Sequence, residues 1–168
     1  MTTVDHSDRM IQVDRLIAAP RDLVFKMLTE ARHLDQWWGP DGFITETHEM
    51  DFSVGGLWRY TMHGPEKDWP NWIRYTEISP PERIAYDHGA EIGEPAWFEG
   101  SITLKTEGTG TRITITLVFP TPEAKEGSLK YGAVDGGKQT LARLDAYVTS
   151  SLQSAKPASS SRIMPPAG

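Results

Sequence analysis

The sequence contains no cysteine among its 168 residues. This excludes a disulfide framework, a thiolate nucleophile and a zinc site built on cysteine ligands. No apolar run approaches the ~18–20 residues that a membrane-spanning helix needs. The first residues, Met1–His6, lack the basic-then-apolar order of a secretory signal. We therefore expect a cytoplasmic protein with no membrane span.

Positive charge is also scarce. The sequence has seventeen lysines and arginines and 23 aspartates and glutamates, which gives a formal net charge of −6 and a pI near 5.3. A nucleic-acid-binding protein needs a basic face to neutralise phosphates. The charge balance therefore argues against nucleic acid as the main partner.

Recognisable catalytic and metal-binding motifs are missing as well. There is no Gly-x-Ser-x-Gly elbow, and the histidines show no close ligand spacing of the kind found in zinc sites. The five histidines are His6, His33, His48, His63 and His88. We predict neither a metal nor another cofactor. An inward-facing His48 or His88 beside a buried acid would still suit a general base.

Aromatic residues, by contrast, are abundant: six Trp, five Tyr and five Phe. Four of the tryptophans fall between Trp37 and Trp69. Indole combines a large apolar area with one hydrogen-bond donor, so it suits either a packed core or the wall of an apolar cavity.

The order of the periodic segments predicts an α+β fold. Residues 9–17 alternate as a strand, and Pro20 marks the start of two short helices. Alternating patterns then predict further strands at 43–51, 57–63, 69–78, 83–88, 97–105 and 111–119. An irregular segment at 122–131 follows. The spacing of Leu141, Leu144, Val148 and Leu152 predicts an amphipathic helix that ends near Gln153.

These segments predict one domain over residues 9–153, with disorder at residues 1–8 and in the Ser-, Pro- and Ala-rich tail at 154–168. An antiparallel sheet of six or seven strands must curl, and its concave face must be covered. Only the C-terminal helix is long enough to cover that face. Basic residues of the helical region, Arg143 among them, are expected on its solvated side.

Five segments in order resemble the START-like (SRPBCC) superfamily, and within it the homologues of the activator of heat-shock-protein-90 ATPase. They are Ala18–Phe25 (AAPRDLVF), Trp37–Pro40 (WWGP), Gly55–Trp58 (GGLW), Pro80–Ile84 (PPERI) and Gly136–Leu144 (GGKQTLARL). The resemblance implies the helix-grip fold, a curved sheet wrapped round a long C-terminal helix. It also implies a wide choice of functions, since members include hydrophobic-ligand carriers, polyketide cyclases, self-resistance proteins and co-chaperone domains. The family commonly carries an aromatic residue where Gly137 stands, so we expect a wider cavity mouth here.

The favoured hypothesis is a binding module for an apolar or aromatic small molecule, held in a cavity between the sheet and the C-terminal helix. Glu77 shares its strand parity with Tyr75 and is expected to face inward as a polar handle. The candidate cavity residues are Trp38, Trp58, Tyr60, Met62, Tyr75, Glu77, Tyr86, Phe98, Tyr131 and Gly137. A cyclase- or hydrolase-like enzyme that uses a cavity Tyr with His or Glu is one alternative. A co-chaperone-like interaction domain is another, and a homodimer is compatible with the sequence.

Overall fold

The computed structural model describes the backbone of residues 7–161 and the side chains of residues 8–150 and 152. The strands are Met10–Ile17 (β1), Ile44–Met50 (β2), Leu57–His63 (β3), Asp68–Ser79 (β4), Arg83–Gly89 (β5), Phe98–Glu107 (β6) and Gly110–Val118 (β7). The helices are Arg21–Lys26 (α1), Ala31–Trp37 (α2), Pro122–Lys130 (α3) and Ala133–Ser161 (α4). Residues 1–6 and 162–168, for which disorder is predicted, lie outside the described residues.

The seven strands form one antiparallel sheet in the order β1-β7-β6-β5-β4-β3-β2. Helices α1 and α2 carry the chain from β1 at one edge to β2 at the other. Inward side chains of the strands form one core with Leu141, Leu144 and Val148 of α4, which confirms the helix-grip architecture. None of the helices in residues 7–161 has the length and apolar character needed to cross a membrane.

Helix α4 covers the concave face of the sheet. Leu141, Leu144 and Val148 are completely buried there, because spacings of three and four place them on one side of a helix. The helix begins at Ala133, before the two glycines, and its backbone continues to Ser161. The predicted end near Gln153 is therefore too early: the helical backbone continues past Pro157, beyond the last apolar residue of the spacing, Leu152.

Helix α3 is regular where an irregular segment is predicted. The hydroxyl of Thr121 accepts a hydrogen bond from the Ala124 N–H at 3.1 Å, and Pro122 occupies the first helical turn. Both features are typical helix starts, because they satisfy or remove N–H groups that have no partner within the helix. This helix places Tyr131 at its C-terminal end.

Two of the segments that carry the family resemblance meet in space. Arg143 of α4 donates hydrogen bonds from Nη1 to the carbonyl oxygens of Gly39, at 2.7 Å, and Pro40, at 3.0 Å. The Asp41 N–H donates to the side chain of Gln139 at 3.1 Å. The prediction that Arg143 lies on a solvated face of the helix is therefore wrong. Arg143 fastens α4 to the turn that follows α2.

Gly137 allows α4 to lie directly against β1. A Cβ added at this position would stand 2.9 Å from Cγ2 of Val13, which is closer than side chains normally pack. The expected wider cavity mouth is wrong, because the strand fills the space that a ring would otherwise occupy.

The two neighbouring glycines of α4 should respond oppositely to alanine. Gly136→Ala is expected to raise the free energy of unfolding by about 0.5–1 kcal/mol through helix propensity, since its Cβ would meet only Pro40, at 3.7 Å. Gly137→Ala gains the same propensity but crowds Val13, and overpacking costs about 1–3 kcal/mol. We expect a net loss of about 1 kcal/mol in urea denaturation. Equal gains from both substitutions would contradict the close approach.

Candidate functional site

Three of the predicted cavity residues form one aromatic cluster. Trp58 stacks on Tyr60 with ring centroids 4.2 Å apart, and Trp38 meets Trp58 edge-on at 5.3 Å. The Trp38 Nε1–H donates to the Tyr60 hydroxyl at 3.0 Å, and the Trp58 Nε1–H donates to the Thr47 hydroxyl at 3.0 Å. Every indole N–H of the cluster therefore has a partner, as buried indoles require.

Two further candidates, Tyr75 and Tyr86, complete the interior and are 3% exposed each. Burial raises the pKa of both phenols, so they stay protonated at neutral pH. The space between sheet and helices at this point has a volume of about 10 Å³. Its walls are Leu28, Leu34, Trp38, Trp58, Ile73, Tyr75, Ile84, Tyr86 and Ile102. Ligand sites usually hold ~300–1,000 Å³, so the predicted ligand space is filled here by the protein's own rings.

Glu77 does not face inward. The pairing of β4 with β5 shifts between Tyr75 and Glu77, so one extra residue enters the strand and reverses its parity. The Glu77 side chain is 44% exposed and forms an ion pair with Arg83 Nε at 3.0 Å. Ile78 takes the inward position instead and packs against the core.

The remaining candidates lie toward one end of the sheet. Met62 is half-buried and packs against the core, and its Cε reaches the turn at Gly39. Phe98 and Tyr131 line a surface groove of about 700 Å³ between the segment before β6 and helix α3. The groove is lined by Glu94, Pro95, Ala96, Trp97, Phe98, Phe119, Pro120, Ala124, Gly127, Ser128 and Tyr131.

The groove is mainly apolar and aromatic. Tyr131 is 93% exposed and Trp97 48% exposed, while Glu94 is the one charged residue of the lining. Large exposed rings at a concave surface are typical of binding sites. Sequence reasoning missed Trp97, because the predicted strand at 97–105 included it, whereas β6 begins at Phe98.

A set of hydrogen-bonded polar side chains lies next to the groove, near the C-terminal end of β5. The imidazole of His88 packs against the Phe98 ring, with centroids 4.8 Å apart. Its Nε2 is 2.8 Å from Oδ1 of Asn71 and 3.2 Å from the Tyr60 hydroxyl. Burial lowers the pKa of His88 to about 3, so the ring is neutral at pH 7. Of the two histidines considered as a general base, His88 is the one that lies among these inward rings, whereas Asn71, which shares its parity with Ile73, was missed.

The low pKa of His88 predicts a pH-dependent stability. Between pH 6.5 and pH 3 the unfolded chain binds a proton at this residue that the folded chain does not. The free energy of unfolding must then fall as the pH falls. Between pH 7 and pH 5 we expect the parent protein to lose about 1–2 kcal/mol more than His88→Gln. Urea denaturation at both pH values measures this, and the other histidines cancel in the difference. Parallel profiles would contradict the buried neutral ring.

The other histidines of the described chain have structural partners. His33 is buried, with Nδ1 2.7 Å from the Tyr147 hydroxyl. His63 lies between Glu46 and Asp68, and its pKa is raised by hydrogen bonds to these two carboxylates. His48 is exposed beside Thr61, so it does not take the inward position that a general base would need. His6 lies outside the described residues. No group of metal-ligating side chains able to hold an ion occurs in the part of the chain that the structure describes.

Solved structures from several bacteria share this fold. A protein from Nitrosomonas europaea is 23% identical, with a TM-score of 0.80 over 89% of this chain and 99% of its own. A protein from Chromobacterium violaceum is 27% identical, with a TM-score of 0.71 over 83% and 96% of the two chains. A Silicibacter pomeroyi protein described as AHSA1 is 21% identical, with a TM-score of 0.65 over 83% and 97%. No curated protein matches the sequence.

The family comparison agrees with the fold and with the motif order. The family model of the Activator of Hsp90 ATPase homolog 1-like protein matches residues 18–149, more than three quarters of the chain. The match includes β2–β7, helices α1–α3 and the part of α4 that packs on the sheet. The chain therefore belongs to the Activator of Hsp90 ATPase homolog 1-like family and has the START-like helix-grip fold.

Proposed function

We propose that this protein binds an apolar or aromatic small molecule in the groove between the segment before β6 and helix α3. The observation that carries the proposal is an open space of about 700 Å³ walled by Trp97, Phe98, Phe119 and Tyr131. Its volume suits a small organic ligand. Rings on facing walls can contact both sides of a flat apolar molecule.

The groove is a better site than the space beneath α4. The interior cluster leaves about 10 Å³, roughly one water molecule. Opening it would require Trp58 or Tyr86 to leave a well-packed position. The groove, in contrast, accepts a ligand without displacing any buried ring.

A groove-filling substitution tests the proposal. A Cβ added at Gly127 meets no described atom of another element within 4 Å, so Gly127→Leu should fit without strain. Leucine also has the higher helix propensity, which adds about 0.5–1 kcal/mol of stability. We expect Gly127→Leu to be at least as stable as the parent and yet to weaken binding of the neutral fluorescent probe N-phenyl-1-naphthylamine about tenfold or more.

Matched controls separate lost space from lost folding. Gly127→Ala gains helix propensity with little added volume and should retain most of the probe affinity. Trp97→Ala should weaken binding, whereas Trp69→Ala, which removes another partly exposed tryptophan outside the groove, should not. Unchanged affinity in both Gly127→Leu and Trp97→Ala would rule out the groove as the probe site.

An enzyme of the cyclase or hydrolase kind is the second candidate. It is supported by one contact, the 3.2 Å distance between His88 Nε2 and the hydroxyl of inward-facing Tyr60. Such a pair can move a proton when a substrate reaches it. Hydrolysis of 2-naphthyl acetate by the parent protein, lost in His88→Gln, would favour this function. The co-chaperone-like alternative has the family description as its support.

A further inference from the structure

The hydrogen bonds around His88 determine which of its nitrogens carries the proton. The side-chain Nδ2 of Asn71 donates to the Trp69 carbonyl oxygen at 3.1 Å, so the Asn71 Oδ1 faces His88 as an acceptor. With Nε2 only 2.8 Å from that oxygen, the proton must lie on Nε2. The opposite tautomer would place two lone pairs against each other at this distance.

The second ring nitrogen of His88, Nδ1, is then an acceptor with a free lone pair. No hydrogen bond to it is formed by the described residues. Among these residues the one fully buried side-chain nitrogen or oxygen without a partner is Nε2 of His33. His88 Nδ1 is therefore not sealed from solvent, although burial keeps the ring neutral.

The imidazole packs against two of the rings that line the groove. Its centroid is 4.8 Å from the Phe98 ring and 6.5 Å from the Trp97 ring. Phe98 is half-buried, and its other ring neighbour is Phe119, at 5.3 Å. A rotation of the Phe98 side chain would thus join the apolar groove to the polar ring of His88.

We propose that His88 Nδ1 accepts a hydrogen bond from a hydroxyl group of the bound molecule, so that the groove selects hydroxylated aromatic ligands over analogues without a donor. This inference rests on the proposed function, because the groove must hold the aromatic part of the ligand. The amide of Asn71 is a positioning group, since it keeps the proton on Nε2 and leaves Nδ1 free. The ligand class is therefore phenol-like: a flat apolar ring with one donor at its edge.

Three related probes test this inference: 2-naphthol, 2-methoxynaphthalene and naphthalene. The parent protein should bind 2-naphthol about tenfold more tightly than 2-methoxynaphthalene, the size of one net hydrogen bond. In His88→Phe the ratio should fall to about one. The control His48→Phe, on the exposed face, should keep the tenfold ratio.

The outcomes distinguish the two proposals. A tenfold preference that persists in His88→Phe overturns the role of His88 but leaves the groove intact. If naphthalene binds the parent protein and Gly127→Leu equally well, the proposed function fails as well. Imidazole ¹⁵N NMR of the parent protein avoids any folding defect of the variant. The His88 Nδ1 resonance should shift with 2-naphthol and not with 2-methoxynaphthalene, and no shift with 2-naphthol would overturn the inference.

Discussion

Trp58→Ala should lower the free energy of unfolding by about 3–5 kcal/mol, the usual cost of removing a buried tryptophan. Trp58 is 2% exposed, stacks on Tyr60 and donates to Thr47. Alanine loses the contacts of the indole with the rings of Trp38 and Tyr60. It also leaves an apolar cavity, because the surrounding strands cannot close over a missing indole. Urea denaturation followed by circular dichroism measures the loss.

Trp69→Ala is the matched control for this experiment. The Trp69 residue is 43% exposed. Its ring forms a cation–π contact with the ammonium group of Lys67, which lies 3.9 Å from the ring centroid. An exposed cation–π contact contributes about 0.5–1 kcal/mol, so we expect a loss of that size. Similar losses for Trp58 and Trp69 would show that the interior is not packed as described.

The Trp58 variant also separates the two places in which a ligand could bind. An apolar cavity of side-chain size takes up benzene. When Gly127→Leu fills the groove in both proteins, benzene should stabilise the protein that carries Trp58→Ala and leave the protein that retains Trp58 unchanged. Stabilisation of the parent by benzene, even when Gly127→Leu fills the groove, would mean that the interior opens for ligands after all.

Gly100→Ala should destabilise the protein by about 2–3 kcal/mol. The Tyr86 ring lies across Gly100, and an added Cβ would stand 2.3 Å from its Cε2 and 2.4 Å from its Cζ. Tyr86 is buried and rigidly packed, so the ring cannot move aside without disturbing its neighbours. Alanine would otherwise improve a strand position by about 0.5–1 kcal/mol, so the measured loss underestimates the crowding.

A double-mutant cycle in urea denaturation checks the cause. Once Tyr86→Leu has removed the ring, adding Gly100→Ala should cost much less than it costs alone, a coupling of at least about 1 kcal/mol. Gly136→Ala, which meets no crowded neighbour, should be stabilising in the same assay. Strictly additive effects at Gly100 and Tyr86 would refute the contact.

Strand parity explains which site residues could be predicted from the sequence. Trp58 and Tyr60 are two residues apart in β3, and Tyr86 is two residues from Ile84 in β5; period-two alternation places such residues on one face. The same alternation predicted that Glu77 faces inward with Tyr75. This prediction is wrong, because a single bulge after Tyr75 reverses which face the following side chains occupy. A bulge depends on the partner strand and leaves no clear mark in the local pattern.

The aromatic content by itself was compatible with a cavity or a filled core. The choice depended on how rings from different strands fit together, for example Tyr86 over Gly100. Such fits are set by residues distant in the chain. The groove likewise joins residues 94–98 to residues 119–131, and no local pattern relates those two segments.

The sequence by itself determined the order of elements, the inward faces of the regular strands and the covering helix, because periodicity and turn residues act locally. The tertiary structure alone decided that the interior is filled, that Gly137 packs on Val13, and that the open aromatic surface lies beside α3. It also decided that His88 meets Asn71 and Tyr60 behind Phe98. Packing and hydrogen-bond partners between distant strands depend on register and shape, and neither is written in a local residue pattern.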